Sequence, residues 1–249
     1  MTRTSVLVLR LAGPLQSWGA SSRFTRRTTE SAPTKSGVIG LLAAAAGIER
    51  DDDEGLAPLT ALRFGVRIDQ PGTRIRDFHT AHHAVTGKSM PLSERFYLAD
   101  AVFVAAVEGD PTLLTRLHSA LRFPVYPPFL GRRSCPPSGP VDLALHDDAR
   151  LEDTVRDIPW QASAWYRRRH HQPQQLTVLR EKTADDPAPA DALRDQPLSF
   201  SPAHRRHALR SVVTEQVPRP LDPSGNDRRH DPFEALADDL TDVLDEEGA

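Results

Sequence analysis

The sequence predicts an α+β protein, and three observations lead to this fold class. Apolar, β-branched runs at 6–11 and 96–107 indicate buried strands, and a period-two pattern at 62–69 indicates another strand. Helical patterns separate the first strand from the second and follow the third. The order strand, helix, strand, strand, helix, strand is that of the ferredoxin-like or RRM arrangement, whose four-stranded sheet is a common RNA platform.

The first strand and helix are both predicted to be buried. Residues 6–11 run into a Gly-Pro pair, which ends the strand. Thr34 or Ser36 could cap the next helix, whose apolar residues cover most of its circumference until Gly47 ends it. A helix that is apolar on most sides belongs in a core.

The second strand and the segment after it predict an arm. Apolar residues alternate with polar ones over 62–69, so that one strand face carries arginines. The polar stretch from about 70 to 94 is longer than an ordinary hairpin turn, and the apolar strand 96–107 follows it. We therefore expect a projecting arm at about 70–95.

The last helix and strand of the pattern flank a proline-rich loop. Asp110 and Pro111 supply an N-cap and a first helical residue, and leucines at helical spacing then mark an amphipathic helix. The loop 124–140 follows, and 141–145 is a possible strand. Residues 1–145 are therefore predicted to form an RRM-like RNA-binding domain.

The remainder of the chain divides into two further predicted parts. Residues 146–220 are polar, with strand candidates near 176–179 and 210–213, and are expected to form a small β-rich subdomain. Residues 221–249 are expected to be a linker followed by an acidic amphipathic helix. That helix could dock on this protein or on a neighbouring subunit, or remain a solvated tail.

Charge is distributed unevenly along the chain. Residues 231–249 hold eight acids and no Lys or Arg; because the whole chain carries −3, setting these eight aside leaves +5 on residues 1–230. Arginine dominates the basic residues, and its planar guanidinium suits phosphate and stacks on bases. The predicted partner is a polyphosphate, with RNA favoured.

Composition excludes several classes of protein. No apolar run approaches the roughly 18 residues of a membrane span, and the N-terminus lacks the pattern of a signal peptide. Cys135 is the single cysteine, which excludes internal disulfides and a cysteine-based zinc site. We expect a cytoplasmic protein without a cofactor.

Three stretches are candidate RNA contacts in the first half of the chain. The helix N-terminus at Lys35 and Ser36 would offer amides, a positive dipole end and an ammonium group to a phosphate, although a simply capped buried helix is the alternative. The loop before it carries three arginines beside an aromatic residue, a set that binds phosphates and bases unless it is merely solvated: Arg23, Arg26 and Arg27. Gln16 is a candidate hydrogen-bonding reader, whereas Trp18 is expected in the core.

The proline-rich loop is the sharpest second site. Tyr126, Arg132 and Arg133 could hold splayed single-stranded bases on a backbone that proline has already stiffened. Phe129 is expected to pack inward, and Cys135 to be a small packed residue.

The arm raises the question of catalysis. His79, His82 and His83 suggest a metal site or a metal-independent ribonuclease, but the nearby carboxylates show no diagnostic spacing for a metal. Arg76 and Arg95, at the two roots of the arm, are candidate RNA contacts together with His79, although either arginine could be an ordinary ion-pair partner.

Four motifs carry a resemblance to a known family: residues 9–19 (with Gly-Pro-Leu-Gln-Ser-Trp-Gly), 33–37 (Pro-Thr-Lys-Ser-Gly), 76–80 (Arg-Asp-Phe-His-Thr) and 126–136 (Tyr-Pro-Pro-Phe-Leu-Gly-Arg-Arg-Ser-Cys-Pro). Together they resemble the type I-E branch of CRISPR-associated protein family five, in the RAMP superfamily. The resemblance is strong over 1–145, weaker around 194–197 and Arg210, and absent from the acidic segment.

The resemblance implies a role in an RNA-guided complex. It implies an RRM-like core with a protruding β-hairpin thumb that caps the five-prime handle of CRISPR RNA without cutting it. It also implies contact with the backbone-filament subunit and the large subunit of Cascade, and with target DNA only through the complex. A metal-independent endoribonuclease that processes repeat RNA is the alternative, and an RRM-type binder that works alone is a third possibility.

Overall fold

The computed structural model describes residues 3–19, 26–170, 175–201 and 203–220. Arg23 and the acidic segment 221–249 lie outside the described residues, so the structure does not address the predictions made for them.

Eleven strands and five helices occur among the described residues. The strands are β1 (Ser5–Ala12), β2 (Leu15–Gln16), β3 (Arg26–Arg27), β4 (Arg63–Gln70), β5 (Thr73–His79), β6 (Ser93–Ala99), β7 (Val102–Gly109), β8 (Asp142–His146), β9 (Gln175–Glu181), β10 (Asp191–Ser199) and β11 (Arg206–Pro218). The helices are α1 (Lys35–Ala45), α2 (Asp53–Thr60), α3 (Pro111–Arg122), α4 (Leu151–Asp157) and α5 (Ala164–Arg169).

The main sheet has seven strands in the order β10-β11-β9-β4-β7-β1-β8, and all of its neighbouring strands are antiparallel. The register places Ala105 of β7 between Leu9 of β1 and Val66 of β4. The fold is therefore mixed α/β with antiparallel sheets, which confirms the predicted class at this level. β1, α1, β4, α3 and β8 occupy the positions that the sequence predicts for them.

The predicted single strand over 96–107 is wrong, because the chain changes sheets within it. β6 belongs to a second sheet and β7 to the main sheet, with Asp100 between them at φ +56°. Aspartate tolerates this left-handed conformation better than most residues. Both strands are buried, so hydropathy alone shows one continuous apolar run.

The second sheet contains the predicted arm. β6 pairs with β2 and β3, and β5 pairs with the same strand in an antiparallel hairpin that aligns Arg76 with Phe96. Residues 80–92, which join β5 to β6, are all exposed. This hairpin occupies the stretch that the sequence predicts to project.

β4 is buried on both faces, whereas the sequence predicts a half-buried strand. Phe64 and Val66 join the core under α1 and α3, while α4 covers the opposite face. Arg67, on that opposite face, has no exposed surface. The arginines and the apolar residues of β4 therefore lie on opposite faces, and both faces are covered by other parts of the protein.

The C-terminal strands extend the main sheet. β9 pairs with β4, so β9, β10 and β11 continue the sheet of residues 1–145. β9 and β11 confirm the two strand candidates, while β10, α4 and α5 were not predicted. The boundaries drawn at 145 and 220 stay predictions. In the described part of the chain, no helix combines the length and apolar character needed to cross a membrane.

Candidate nucleic-acid interface

The N-terminus of α1 binds an anion, but that anion belongs to the protein. Thr34 caps the helix and accepts a hydrogen bond from the Gly37 amide, while the Lys35 amide donates to Asp195 Oδ2 at 2.8 Å. The Lys35 ammonium lies 2.8 Å from Glu181 and is 3% exposed. Burial lowers the pKa of Lys35, and the charge of Glu181 opposes that shift.

The phosphate contact predicted for Lys35 and Ser36 stays a prediction, and this arrangement is unfavourable to it. Both side chains are buried, and a carboxylate already occupies the place that a phosphate would take. The physical principle, that a helix N-terminus attracts negative charge, holds with Asp195 as its ligand.

Asp195 also anchors β11 to this site. Arg210 Nε and Nη2 donate to its two oxygens at 2.6 and 2.9 Å, and the Arg210 guanidinium stacks over Phe64. Asp195 has no exposed surface, so it joins the Arg210 guanidinium to the N-terminus of α1 inside the protein. The N-terminus of α1 therefore has a structural role in this structure, and its contact with RNA stays a prediction.

Replacing Asp195→Asn should lower the free energy of unfolding by about 2–3 kcal/mol, because it removes the buried charge that pairs with Arg210 and faces the N-terminus of α1. Denaturant titration measures this change. An Asp191→Asn variant on the same strand is the control, since Asp191 is exposed. Equal stability of the two variants would contradict the role assigned to Asp195.

Gln16 likewise has a structural role, and its function as a base reader stays a prediction that its burial does not favour. Its amide donates to the carbonyls of Leu11 and Ala101 at 3.0 and 2.8 Å and accepts from Trp18 Nε1 at 3.0 Å. Gln16 has no exposed surface, and Trp18 is 1% exposed, which confirms the prediction that this tryptophan lies in the core. A Cβ atom on Gly37 would lie 2.8 Å from the Trp18 ring, so α1 requires glycine there.

The loop that follows α3 packs against the strand end next to Trp18. The Ser17 amide donates to the Leu130 carbonyl at 3.0 Å, and Leu130 and Cys135 are fully buried, as predicted for Cys135. Gly131 has φ +84°, and a Cβ atom there would lie 1.8 Å from the Ser17 carbonyl oxygen. These contacts fix the backbone that carries Arg132.

A cleft of about 480 Å³ opens beside this loop. Three arginines line it: Arg27, Arg132 and Arg205. The other lining residues are small or polar: Ser17, Gly19, Thr28 and Gly131. Arg132 Nη2 donates to the Arg27 carbonyl at 2.9 Å, and its guanidinium lies 4.7 Å from the centre of the Tyr97 ring. We call this set the basic cleft.

Two guanidinium nitrogens near the basic cleft have no hydrogen-bond partner. Arg132 Nη1 and Arg95 Nε are buried, and neither finds an acceptor within the described protein. Arg95 lies beside Arg27 in the register of β6 and β3. Arg205 has its pKa lowered by burial and by the charge of Arg50. Buried donors without acceptors are costly, so the site is suited to a ligand that brings negative charge and oxygen acceptors.

The opposite face of the small sheet carries stacked arginines. The guanidinium groups of Arg26 and Arg74 lie 5.4 and 4.6 Å from the Phe96 ring centre, and that of Arg76 lies 4.9 Å from Phe78. Glu94 is the carboxylate partner of Arg26 and Arg76, at 3.9 and 3.4 Å. One acid thus serves two arginines, and both pairs are largely exposed and weak.

The arm histidines do not converge on one point. His79 Nε2 lies 2.8 Å from Asp77 Oδ2, His82 contacts the Gly87 carbonyl, and His83 accepts from backbone amides of its own turn. Within the ranges that the structure describes, no group of three or more His, Cys, Asp or Glu side chains is arranged to hold a metal ion.

Comparison with known proteins assigns the family. The family model described as "CRISPR-associated protein (Cas_Cas5)" matches residues 6–213 of the chain. The chain belongs to this Cas5 family.

Individual Cas5-related proteins agree with this assignment. The CRISPR system Cascade subunit CasD of Escherichia coli (strain K12) is 38% identical over 157 residues, which cover 56% of this chain and 70% of CasD. A crystal structure of a Cas protein has a TM-score of 0.67 and 36% identity, covering 88% of this chain and 99% of that one. A chain of a CRISPR RNA-guided surveillance complex has a TM-score of 0.65 and 31% identity, covering 86% of this chain and 91% of that one.

The structure therefore divides the predicted site residues into two groups. Gln16, Lys35 and Ser36 are buried, whereas the others that the structure describes lie at or near the surface of the basic cleft, the hairpin or the proline-rich loop: Arg26, Arg27, Arg76, His79, Arg95, Tyr126, Arg132 and Arg133. Phe129 is half-buried, consistent with the inward packing expected of it.

Sequence reasoning missed Arg74, Tyr97 and Arg205. Arg74 had a usable signal, because it alternates with Arg76 along β5 and therefore shares its face. Arg205 had no usable signal in the sequence, because only the folded structure brings it to the basic cleft.

Proposed function

We propose that the chain is a non-catalytic RNA-binding subunit of a Cascade-type surveillance complex, and that it caps the five-prime handle of CRISPR RNA. The observation that carries this proposal is the basic cleft, where three arginines meet and a buried guanidinium nitrogen lacks an acceptor. Membership of the Cas5 family and the similarity to CasD support the biological setting.

The residues of the cleft and its loop would share the work of binding. Arg27, Arg132 and Arg205 are placed to neutralise phosphates, and Arg133 is exposed on the same loop. Tyr126 is 51% exposed and offers a ring face on which an unstacked base could lie. Phosphate contacts would set the register of the RNA, and the loop aromatic would hold a base.

The central strands support the ferredoxin-like core that the sequence predicts. β8, β1, β7 and β4 are consecutive in the main sheet, with α1 following β1 and α3 following β7. This is the spatial order of a βαββαβ unit, to which α2, the hairpin and the C-terminal strands are added. The β5–β6 hairpin is the element that would act as the thumb.

The hairpin is also the element best suited to contact neighbouring subunits. Five large apolar side chains of this element are exposed in the free chain: Ile75 (38%), Phe78 (49%), Val85 (88%), Met90 (50%) and Leu92 (51%). Exposed apolar groups concentrated on one arm are typical of a protein–protein contact. We assign this contact to the backbone-filament and large subunits, through which target DNA would be met indirectly.

Co-purification tests the proposal. Tagged protein, expressed with the other subunits and a CRISPR array, should retain both the subunits and a guide RNA through high-salt washing. The control is the same chain with Val85→Asp and Met90→Asp, which should lose subunits while its isolated form still binds handle RNA. Recovery of the wild-type chain without guide or subunits would show that it works alone.

A metal-independent ribonuclease is the second candidate, and one observation favours it. The His79–Asp77 pair is exposed on the hairpin, and a carboxylate-paired imidazole can act as a general base on a ribose 2′-OH. Labelled repeat RNA incubated with purified protein in EDTA decides between the two candidates. We expect intact RNA; site-specific cleavage that His79→Ala abolishes would establish the ribonuclease instead.

A further inference from the structure

A second group of basic residues lies around α5, and none of them lines the basic cleft. The buried ring of Trp160 is covered by two guanidinium groups, those of Arg167 at 5.6 Å and Arg219 at 5.1 Å from its centre. Trp165 on α5 is 46% exposed, and it packs edge-on against Tyr166. Trp160 packs edge-on against Tyr166 and so links Arg219 to α5. We call Trp165, Arg168 and Arg169 of α5, together with Arg219, the α5 patch.

The arginines of the α5 patch have no carboxylate partner among the described residues. Arg168, Arg169 and Arg219 take part in no ion pair with any residue that the structure describes. Nearby, burial and the charge of Arg167 lower the pKa of Arg10, while the charge of Asp69 opposes that shift. Such a surface is stabilised by an anionic partner that also covers the exposed indole of Trp165.

The chain itself supplies a partner of the required chemistry. The described residues end at Pro220, directly after Arg219, so the C-terminal segment starts within the α5 patch. Residues 221–230 can span at most about 35 Å, enough to return the following segment to this surface. Residues 231–249 then carry eight acids and no Lys or Arg.

The pattern of the same segment provides apolar side chains as well as charge. Its apolar residues recur at helical spacing between the acids: Phe233, Leu236, Leu240, Val243 and Leu244. An amphipathic acidic segment of this kind needs a surface that offers both an apolar contact and cations. The α5 patch offers Trp165 for the first and three arginines for the second.

We propose that the acidic segment 231–249 docks on the α5 patch of its own chain. The tether makes docking intramolecular, so the effective concentration of the segment is in the millimolar range even though each contact is weak. The docked acids occupy cations that would otherwise bind nucleic acid without regard to sequence. RNA binding is thereby confined to the basic cleft.

Trp165 fluorescence tests this proposal in the full-length chain. Trp18 and Trp160 are 1% and 4% exposed, so acrylamide quenching reports mainly on Trp165, and a Trp165→Phe variant supplies the background. Replacing Asp238, Asp239, Asp242 and Asp245 with Asn should increase quenching about twofold at low salt, since charge attraction is lost. The same four positions changed to Glu are the matched control and should quench like the wild type.

Salt and the patch arginines provide independent readouts. Raising the salt to about 1 M, where the screening length falls to about 3 Å, should bring the wild type to the value of the Asn variant. Arg168→Gln with Arg169→Gln should do the same at low salt. Equal quenching of wild type and Asn variant at low salt would overturn the proposal. So would equal protection of Trp165 in both proteins by a single-stranded oligonucleotide, since the patch would then be an open nucleic-acid site.

Discussion

Replacing Arg132 and Arg133 together with Ala is expected to weaken binding of the handle RNA by about 10- to 100-fold. Arg132 holds the Arg27 carbonyl and stacks on Tyr97, and one of its nitrogens is left without an acceptor; Arg133 is exposed beside it. Loss of two phosphate contacts to a single strand should also reduce the slope of log affinity against log salt by about 1.4. Fluorescence anisotropy at several salt concentrations measures both quantities.

Two variants make this result specific. Arg116→Ala with Arg150→Ala removes two exposed arginines elsewhere and should leave the affinity within about twofold of the wild type. Arg132→Lys with Arg133→Lys keeps the charge and should retain the salt slope while losing affinity, because lysine lacks the planar fork. Equal loss of affinity in the Arg116 and Arg150 variant would mean that only net charge matters, which contradicts the assigned cleft.

Replacing Arg67→Met is expected to lower the free energy of unfolding by about 4 kcal/mol, since it leaves Asp69 charged and unpaired in the interior. Arg67 donates to both Asp69 oxygens at 2.6 and 3.0 Å, and to four backbone carbonyls of residues 155–159 at 2.6–3.3 Å. It therefore fastens the segment after α4 to β4. Urea titration followed by circular dichroism measures the loss.

Arg63 supplies the matched control on the same face of β4. It pairs with Glu108 and Glu152, but it is 29% exposed, so Arg63→Met should cost only about 1 kcal/mol. A cost for Arg67→Met no larger than that for Arg63→Met would contradict the structural role given to the buried guanidinium.

The central elements could be predicted because their caps and apolar spacing are encoded by residues close together in the sequence. α3 was read correctly from an Asp-Pro start and leucines at helical spacing, and Asp110 does cap it by accepting from the Leu113 amide. β10, by contrast, gave no apolar alternation that could be recognised, because polar residues such as Asp195, which faces the N-terminus of α1 and Arg210, take some of its buried positions. The change of sheet at Asp100 could not be seen in the sequence, because the strands on both sides of it are apolar.

The candidate site was predictable where exposed arginines lie close together in sequence. Arg132 and Arg133 stand on a loop whose proline and glycine content fixes its shape, and they reach the surface as expected. Lys35 could not be assigned from sequence, because its partner Glu181 and the helix ligand Asp195 lie on distant strands. A helix N-terminus motif in a sequence indicates that an anion binds there, but it does not identify that anion.

The most direct test of the central claim is photo-crosslinking of the assembled complex. Guide RNA with 4-thiouridine in its five-prime handle is irradiated, and the crosslinked peptides are identified by mass spectrometry. We expect crosslinks to peptides that contain Arg27, Tyr97 or the loop from Tyr126 to Arg133, on RNA of unchanged length. Handle crosslinks confined to other subunits, or RNA cut within the handle, would contradict that claim.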